Sequence, residues 1–175
     1  MALKLVLPDG CHEQAWKSIL AEYKKHGEKM AYGLHMGFNA DQYELYLAKG
    51  RDSAKGINLP EGFPSKNVFF LMEDGSDEIF GQVTFRHYLN KYLDEVGGHI
   101  GYTIRPSKRG KGYGTKQLEL ALGICRQQGL EEVLLVCNND NYASAAIIKK
   151  CGGEFLNVFI EDNGTVVERY WIRLK

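Results

Sequence analysis

The sequence has few of the residues that mark a special class of protein. Only 4 of its 175 residues are cysteine and only 4 are proline, while 22 Lys and Arg balance 22 Asp and Glu. The cysteines form no C-x-x-C pair, so neither a zinc site nor a disulfide framework is predicted, and no metal is expected. The formal net charge of zero excludes a surface basic enough to hold nucleic acid non-specifically.

Long apolar runs are also absent. No stretch approaches the ~20 apolar residues that a membrane-spanning helix needs. The apolar start of the chain is interrupted by Lys4 and followed by Pro8, which is not the pattern of a signal peptide. We therefore expect a cytoplasmic protein without a membrane partner. Its 44% hydrophobic and 25% charged residues are ordinary for a globular protein, and its length predicts one domain over residues 1–175.

The first half of the chain shows strand and helix patterns in turn. Alternating leucines predict the first strand, and apolar residues spaced three and four apart predict two helices. A loop and a hairpin with an acidic turn follow. In chain order, the predicted elements are a strand at 3–7, helices at 12–26 and 40–48, a loop at 50–64, and strands at 67–72 and 79–88.

The second half predicts a strand–helix–strand unit, a further helix and a hairpin. The continuous apolar run at residues 133–137 is typical of a strand covered on both faces. In one sheet, such a unit requires parallel strands and a right-handed crossover, so the expected fold is α/β with a mixed sheet. The predicted elements are strands at 97–104 and 133–137, helices at 113–128 and 142–150, and a hairpin of 155–161 and 165–174 that turns at Asp162-Asn163-Gly164.

The segment between the strand at 97–104 and the following helix is rich in glycine and positive charge. It contains no acidic residue, and its basic residues are Arg105, Lys108, Arg109, Lys111 and Lys116. A helix N-terminus exposes unpaired amide groups, and glycines at 110, 112 and 114 let the backbone approach an anion. A diphosphate is the expected ligand, although the spacing of the glycines fits neither a P-loop nor a dinucleotide-binding loop.

The stretch Arg109-Gly-Lys-Gly112-Tyr-Gly114 resembles the Gln/Arg-x-x-Gly-x-Gly/Ala signature of the GNAT superfamily of N-acetyltransferases. The similarity extends over residues 97–155, and the strand Gly97-Gly-His-Ile-Gly-Tyr102 resembles a subgroup of predicted bacterial acetyltransferases. The resemblance implies a single-domain GNAT fold: a mixed, mostly antiparallel sheet whose central parallel strands splay apart between flanking helices. It also implies acetyl-CoA as the co-substrate.

The resemblance further assigns the cofactor contacts. It places the pyrophosphate on the amides of the glycine-rich loop, the pantetheine arm against the end of the preceding strand, and the acetyl group near Asn138. The residues implied are Thr103, Ile104, Arg109, Gly110, Lys111, Gly112, Tyr113, Gly114, Thr115, Asn138, Asn141 and Ser144. Asn141 is equally well placed to cap the helix that follows it.

Catalytic residues are harder to assign. Relatives often carry a glutamate base near the head of the strand before the loop, where this chain has Gly98, followed by His99, with Glu95 upstream. Imidazole titrates in a suitable range for a base, although a structural role is the alternative. Many relatives also carry a tyrosine acid seven residues after the asparagine equivalent to Asn141, where this chain has Ile148. Tyr142 is therefore the candidate acid.

The resemblance implies an enzyme that transfers the acetyl group directly to a primary amine of a small molecule or peptide. Two alternatives remain open: a catalytically degenerate acyl-CoA-binding module, and a nucleotide-binding domain that uses the same loop. The tyrosine-rich region from Tyr32 to Tyr92 is the expected acceptor side, and core packing is the alternative for its aromatic residues. The resemblance is also compatible with a homodimer.

Overall fold

The computed structural model describes residues 2–28 and 38–174, and it has the expected α/β class. None of the helices in these two ranges is both long and apolar enough to cross a membrane. Short 3-10 turns occupy Gly10–His12 and Pro106–Lys108. The elements are β1 (Leu3–Val6), α1 (Glu13–Lys25), α2 (Tyr43–Ala54), β2 (Lys66–Glu73), β3 (Ile79–Arg86), α3 (Lys91–Val96), β4 (Ile100–Ile104), α4 (Tyr113–Gln127), β5 (Glu132–Asn138), α5 (Tyr142–Lys150), β6 (Glu154–Ile160) and β7 (Val166–Arg173).

The strands form two antiparallel sheets instead of the single mixed sheet expected. One sheet has the order β1-β2-β3-β4 and the other β5-β7-β6. The expected central pair, β4 and β5, meets at a junction where the His99 amide donates to the Leu134 carbonyl at 2.8 Å. Thr103 and Ile104, at the end of β4, line one cavity together with Ser144 of α5. In the described residues no parallel ladder joins β4 to β5, because the two strands belong to different sheets.

Two helices differ from the sequence prediction. Helix α2 begins at Tyr43 and continues to Ala54, into the first five residues of the stretch predicted as loop. It ends where Gly56 adopts a left-handed φ of 73° and the Ile57 amide donates back to the Asp52 carbonyl at 2.8 Å. Helix α3 was not predicted, because six residues are too few to show a helical period.

Two turns also differ in detail. Strand β4 begins at Ile100, three residues later than expected, because Gly98 has a φ of 65° that no strand residue adopts. In the turn of the β6–β7 hairpin, both residues of the Asn-Gly pair can adopt a positive φ. Only Gly164 has it, at 84°, while the Asn163 side chain accepts a hydrogen bond from the Thr165 amide at 2.7 Å.

The first sheet is covered on both faces, which gives two hydrophobic clusters. Helices α1 and α2 cover one face with Trp16, Tyr43 and Tyr46, so the tyrosines of α2 pack in the core. Helix α4 covers the other face, and its cluster extends to β5 and includes Cys137, as expected for a packing residue. The ends of β4 and α4 are thus fixed between the two layers, and the candidate site lies there.

Candidate active site

A cavity of about 630 Å³ opens between the end of β4, the start of α4 and the start of α5. This volume is in the range of small-molecule and cofactor sites. Most of the residues that the sequence assigned to the cofactor contribute to its wall. The lining residues are Tyr23, Glu28, Tyr102, Thr103, Ile104, Lys108, Arg109, Gly110, Gly112, Gly114, Thr115, Asn141, Ala143, Ser144 and Ile147. Three of the assigned residues, Lys111, Tyr113 and Asn138, do not line it.

The backbone at the start of α4 presents unpaired amide groups to this cavity. Gly112 is the N-cap residue, with a left-handed φ of 83°, and Gly110 also has a positive φ, of 71°. Within the described part of the chain, the amides of residues 110–115 donate no hydrogen bond, whereas the Lys116 amide donates to the Gly112 carbonyl at 3.2 Å. Unpaired amides and the positive end of the helix dipole are features that favour the binding of an anion at this segment.

Gly114 has a different role from the other two glycines of the loop. It is buried in the first turn of α4, and a Cβ atom there would lie 2.6 Å from Ile147 Cδ1 and 3.7 Å from Ile104 Cγ1. The absence of a side chain thus allows α4 to pack closely against α5 at the cavity wall. The glycines of the loop thus meet two requirements: a positive φ at Gly110 and Gly112, and close packing of α4 against α5 at Gly114.

The five basic residues of the segment are less available than their sequence suggested. Four of them pair with carboxylates, so most of the positive charge of this segment is neutralised within the protein. The pairs are Arg105 with Glu22 at 2.5 Å, Lys108 with Glu78 at 2.5 Å, Arg109 with Glu28 at 2.6 Å and Lys116 with Glu119 at 3.3 Å. Among residues 2–28 and 38–174, no carboxylate lies within ion-pair distance of Lys111, whose Nζ donates to the Ser107 carbonyl at 2.8 Å.

The carbonyl of Ile104, at the end of β4, is already occupied. It accepts a hydrogen bond from the Tyr23 hydroxyl at 2.9 Å and another from Arg109 Nε at 3.1 Å. Because a carbonyl oxygen has two lone pairs, little capacity remains for a pantetheine amide. Arg109 is therefore directed to the end of β4 and to Glu28, on the side of the cavity that α1 forms.

Tyr102 is a functional candidate that the sequence analysis missed. Its side chain crosses from β4 to α5, where the hydroxyl lies 2.9 Å from Ser144 Oγ. Burial raises the pKa of Tyr102 to about 12, so the hydroxyl stays protonated at neutral pH. Tyr102 and Ser144 both line the cavity. No local pattern in the sequence indicated the distance between these two residues.

His99 lies at the β4–β5 junction and not at the cavity. Its Nδ1 accepts a hydrogen bond from the Leu134 amide at 2.9 Å, so the neutral ring carries its proton on Nε2. Burial, and then the positive charge of Arg86, lowers the pKa of His99 to about 4. This arrangement favours a structural role over that of a general base. Glu95, the second candidate, lies half-buried in α3 and is also absent from the cavity wall.

The residues around the start of α5 divide into exposed and cavity-lining ones. Tyr142 is 79% exposed at the first position of the helix, so its side chain faces solvent. Asn141 combines its two expected roles, because it lines the cavity while its Oδ1 accepts from the Ser144 amide at 3.1 Å. Asn138 is exposed at the end of β5, and Ile148 is packed in the core.

One group of potential metal ligands was not expected from the sequence. Ligand atoms of Asp9, Cys11 and His12 lie within 4.8 Å of one another. Hydrogen bonds of a helix start account for this arrangement: Asp9 Oδ1 accepts from the Cys11 amide at 2.9 Å, and His12 Nδ1 accepts from the Asp9 amide at 3.2 Å. This group lies in the first turn of the chain, at the start of α1.

Solved structures with a similar fold are acetyltransferases. The ribosomal L7/L12 alpha-N-protein acetyltransferase RimL in complex with coenzyme A has a TM-score of 0.73 at 15% identity, covering 99% of this chain and 95% of that chain. The microcin C7 self-immunity acetyltransferase MccE in complex with acetyl-CoA and AMP has a TM-score of 0.71 at 17% identity, with 98% and 92% covered. A spermidine N-acetyltransferase SpeG chimera from Vibrio cholerae and hSSAT has a TM-score of 0.67 at 16% identity, with 99% and 97% covered.

These identities show a shared fold, and a family model gives the relationship itself. No curated protein sequence matches the chain at a significant level. The model described as "Acetyltransferase (GNAT) domain" matches residues 12–154, which is most of the chain. This match includes α1, the glycine-rich loop and the cavity, and it confirms the resemblance first indicated by residues 109–114. The protein belongs to the GNAT family of acetyltransferases.

Proposed function

We propose that the protein transfers the acetyl group of acetyl-CoA directly to a primary amine. The observation that carries this proposal is the set of unpaired amides at residues 110–115, which open into the cavity between β4 and α5. Such a cradle suits the diphosphate of coenzyme A, and the cavity behind it suits the pantetheine arm. The coenzyme A and acetyl-CoA complexes named for the RimL and MccE structures support the same ligand.

Two elements of the chain would bind different parts of acetyl-CoA. The amides of residues 110–115 would bind the diphosphate, with Lys111 Nζ close enough to add a positive charge. The arm would lie along the edge of β4 at Tyr102 and Thr103, because the Ile104 carbonyl is occupied. Arg109 would act as a link to Glu28 more than as a phosphate ligand. Bound there, acetyl-CoA supplies an activated thioester.

The neutral amine forms a C–N bond to the acetyl carbonyl carbon and the thioester C–S bond breaks, while the proton that the nitrogen loses balances the proton that the departing thiolate gains. We propose Tyr102 as the proton donor in place of Tyr142. The hydroxyl of Tyr102 lines the cavity and keeps its proton at neutral pH, whereas Tyr142 faces solvent. Ser144 Oγ, 2.9 Å away, can hold the Tyr102 hydroxyl in place and share the proton network.

The acceptor is a primary amine in this proposal, and its class is to be settled by experiment. The solved neighbours act on a ribosomal protein N-terminus and on spermidine, according to their names. Polyamines and peptide N-termini are therefore the first compounds to test. We infer that the acceptor enters from the side of α1 and α2, since α4 and α5 occupy the diphosphate side.

One observation favours a second candidate function, an acyl-CoA-binding module without turnover. Neither base predicted from the sequence, His99 or Glu95, lines the cavity. The carboxylate that does line it within the described ranges is Glu28, which is held by Arg109 at 2.8 and 2.6 Å. In that case acetyl-CoA would bind, and no amine would accelerate the release of coenzyme A.

Calorimetry with acetyl-CoA and a thiol-release assay with an amine library separate these functions. We expect micromolar binding by the natural sequence, and Gly112→Trp should abolish it by filling the cradle. Gly164→Trp is a matched control, because Gly164 has a φ of 84° against 83° for Gly112, and a Cβ atom at either position would have no neighbouring atom within 4 Å. Absence of acetyl-CoA binding contradicts both functions, whereas binding without amine-stimulated thiol release contradicts catalysis alone.

A further inference from the structure

We propose that Glu22 of α1 is a positioning residue that holds the diphosphate-binding loop in its binding conformation. This inference rests on the proposed function, because it assumes that the loop binds the diphosphate of acetyl-CoA. Glu22 does not line the cavity, although the adjacent Tyr23 does. Its action on the cofactor would therefore pass through the backbone of the loop.

Both carboxylate oxygens of Glu22 are bound to the start of this loop. Oε1 accepts a hydrogen bond from the Ser107 amide at 2.6 Å, and Oε2 accepts one from Arg105 Nε at 2.5 Å. Glu22 is 83 residues from Arg105 in sequence, so this contact joins α1 to the β4–α4 connection. Hydrogen bonds to charged groups are stronger than neutral ones. The carboxylate thus fixes the path of the chain directly before residues 110–115.

Arg105 strengthens the same attachment from inside the protein. It is only 8% exposed, its Nη2 donates to Ser18 Oγ at 3.0 Å, and its Nη1 lies 3.3 Å from Glu78 Oε1. Lys108 pairs with the same Glu78 at 2.5 Å. The loop is therefore anchored through its side chains and one amide on the α1 side. Its later amides remain unpaired and available for an anion.

The charge of Glu22 makes this proposal testable by the sign of an effect. A carboxylate near an anion site opposes anion binding, and Glu22 also neutralises Arg105. If Glu22 acted through charge alone, its removal would make diphosphate ligands bind more tightly. If Glu22 positions the loop, its removal makes them bind more weakly, because the free energy of ordering the loop is then paid on binding.

The protonation of Glu22 does not complicate the test. Burial raises the pKa of this carboxyl, but the hydrogen bonds from Ser107 and Arg105 outweigh that effect and lower it to about 2. The carboxylate is therefore ionised throughout the pH range in which binding is measured. A pH-independent contribution of Glu22 between about pH 5 and 9 is expected on this basis.

The experiment measures acetyl-CoA affinity by calorimetry for the natural sequence, Glu22→Ala, Glu22→Gln and the control Glu119→Ala. Glu119 pairs with Lys116 at 3.3 Å, so the control also removes a carboxylate from a basic residue of the segment, but it frees no part of the loop. We expect Glu22→Ala to weaken binding about 10-fold or more. The acetyl-CoA affinity of Glu22→Gln should lie between those of the natural sequence and Glu22→Ala, since the glutamine amide oxygen can still accept from the Ser107 amide. Glu119→Ala should bind acetyl-CoA as tightly as the natural sequence or more tightly.

Two further measurements separate positioning from general destabilisation and from failure of the proposed function. S-acetylpantetheine lacks the diphosphate, so its affinity in NMR titrations should change less than about twofold in Glu22→Ala. Hydrogen exchange of the ligand-free protein should become faster at residues 107–109, whose amides donate to Glu22, Arg105 and Pro106, in both Glu22 variants and remain unchanged in Glu119→Ala. The exchange result tests the loop attachment even if acetyl-CoA fails to bind.

Each outcome decides the question. Equal or tighter acetyl-CoA binding by Glu22→Ala overturns the positioning role, as does unchanged exchange at residues 107–109. Equal weakening of S-acetylpantetheine also overturns it, because the effect would then come from the whole cavity. If Glu22→Ala does not fold, Glu22→Gln carries the same comparison, with circular dichroism and thermal unfolding as the check on folding.

Discussion

Adding a single methyl group at Gly98 should force the two sheets apart. It has a φ of 65°, and a Cβ atom there would lie 2.5 Å from the Leu134 carbonyl oxygen and 3.2 Å from Leu135 Cα. These are backbone atoms of a buried strand, so no side chain can rotate away. An ordinary contact needs 3.4 Å or more, so the chains must move apart by about 0.9 Å in Gly98→Ala.

The cost can be worked from two terms. The left-handed backbone costs about 1–2 kcal/mol for a residue with a Cβ atom. The displacement also strains the two hydrogen bonds between His99 and Leu134, at 2.8 and 2.9 Å, and loss of one costs about 1 kcal/mol. The reduced entropy of the unfolded chain returns about 0.4–1 kcal/mol. We expect Gly98→Ala to lower the free energy of unfolding by about 2 kcal/mol.

Gly129→Ala provides the matched control for this variant. Gly129 follows α4 with a φ of 81°, and no atom lies within 4 Å of a Cβ built there. It therefore experiences the backbone strain without the collision. Urea unfolding followed by far-UV circular dichroism should show Gly98→Ala as less stable than Gly129→Ala by at least ~1 kcal/mol. Equal stabilities within about 0.5 kcal/mol would refute the close approach of β4 and β5 at this position.

Two more predictions concern side chains at the cavity and at the junction. Tyr102→Phe should lower kcat at least about tenfold while leaving acetyl-CoA affinity nearly unchanged, and Tyr142→Phe should change neither; an unchanged kcat in Tyr102→Phe would remove the proposed proton donor. Because the pKa of His99 is depressed from 6.5 to about 4, the unfolded chain binds the proton first, so stability should fall as the pH drops through this window. His99→Asn, which keeps an acceptor for the Leu134 amide, should flatten that dependence in urea unfolding measured from pH 7 to 4; an unaltered slope would contradict the assigned pKa.

The elements around the anion site could be predicted from sequence because they depend on local rules. Helix α4 starts at Tyr113 and ends one residue before the predicted boundary, and α5 has the predicted bounds. Gly112 and Gly129 mark the two ends of α4 by backbone conformations that favour glycine. Strand β5 could be predicted from its own run of apolar residues alone. A glycine-rich helix start is thus readable from a dozen consecutive residues.

Partners of the charged side chains could not be predicted in the same way. Arg109 meets Glu28 from 81 residues away, and Leu134 donates to His99 from 35 residues away. Neither contact leaves a local pattern, because the chain between the partners forms other elements. The sequence therefore overestimated the free positive charge of the loop and assigned to His99 a chemical role that its hydrogen bond does not favour.

By itself, the sequence indicated the fold class and the candidate anion site, and the resemblance of residues 109–114 to a known signature indicated the family. The fold class and the candidate site follow from short-range physics: glycine conformations, apolar periodicity and the amide groups that any helix start leaves unpaired. Only the tertiary structure decided which basic residues stay free, where β4 and β5 separate and which hydroxyl faces the cavity. Those properties depend on distances between residues remote in sequence, and such distances exist only once α1, the two sheets and α5 have packed together.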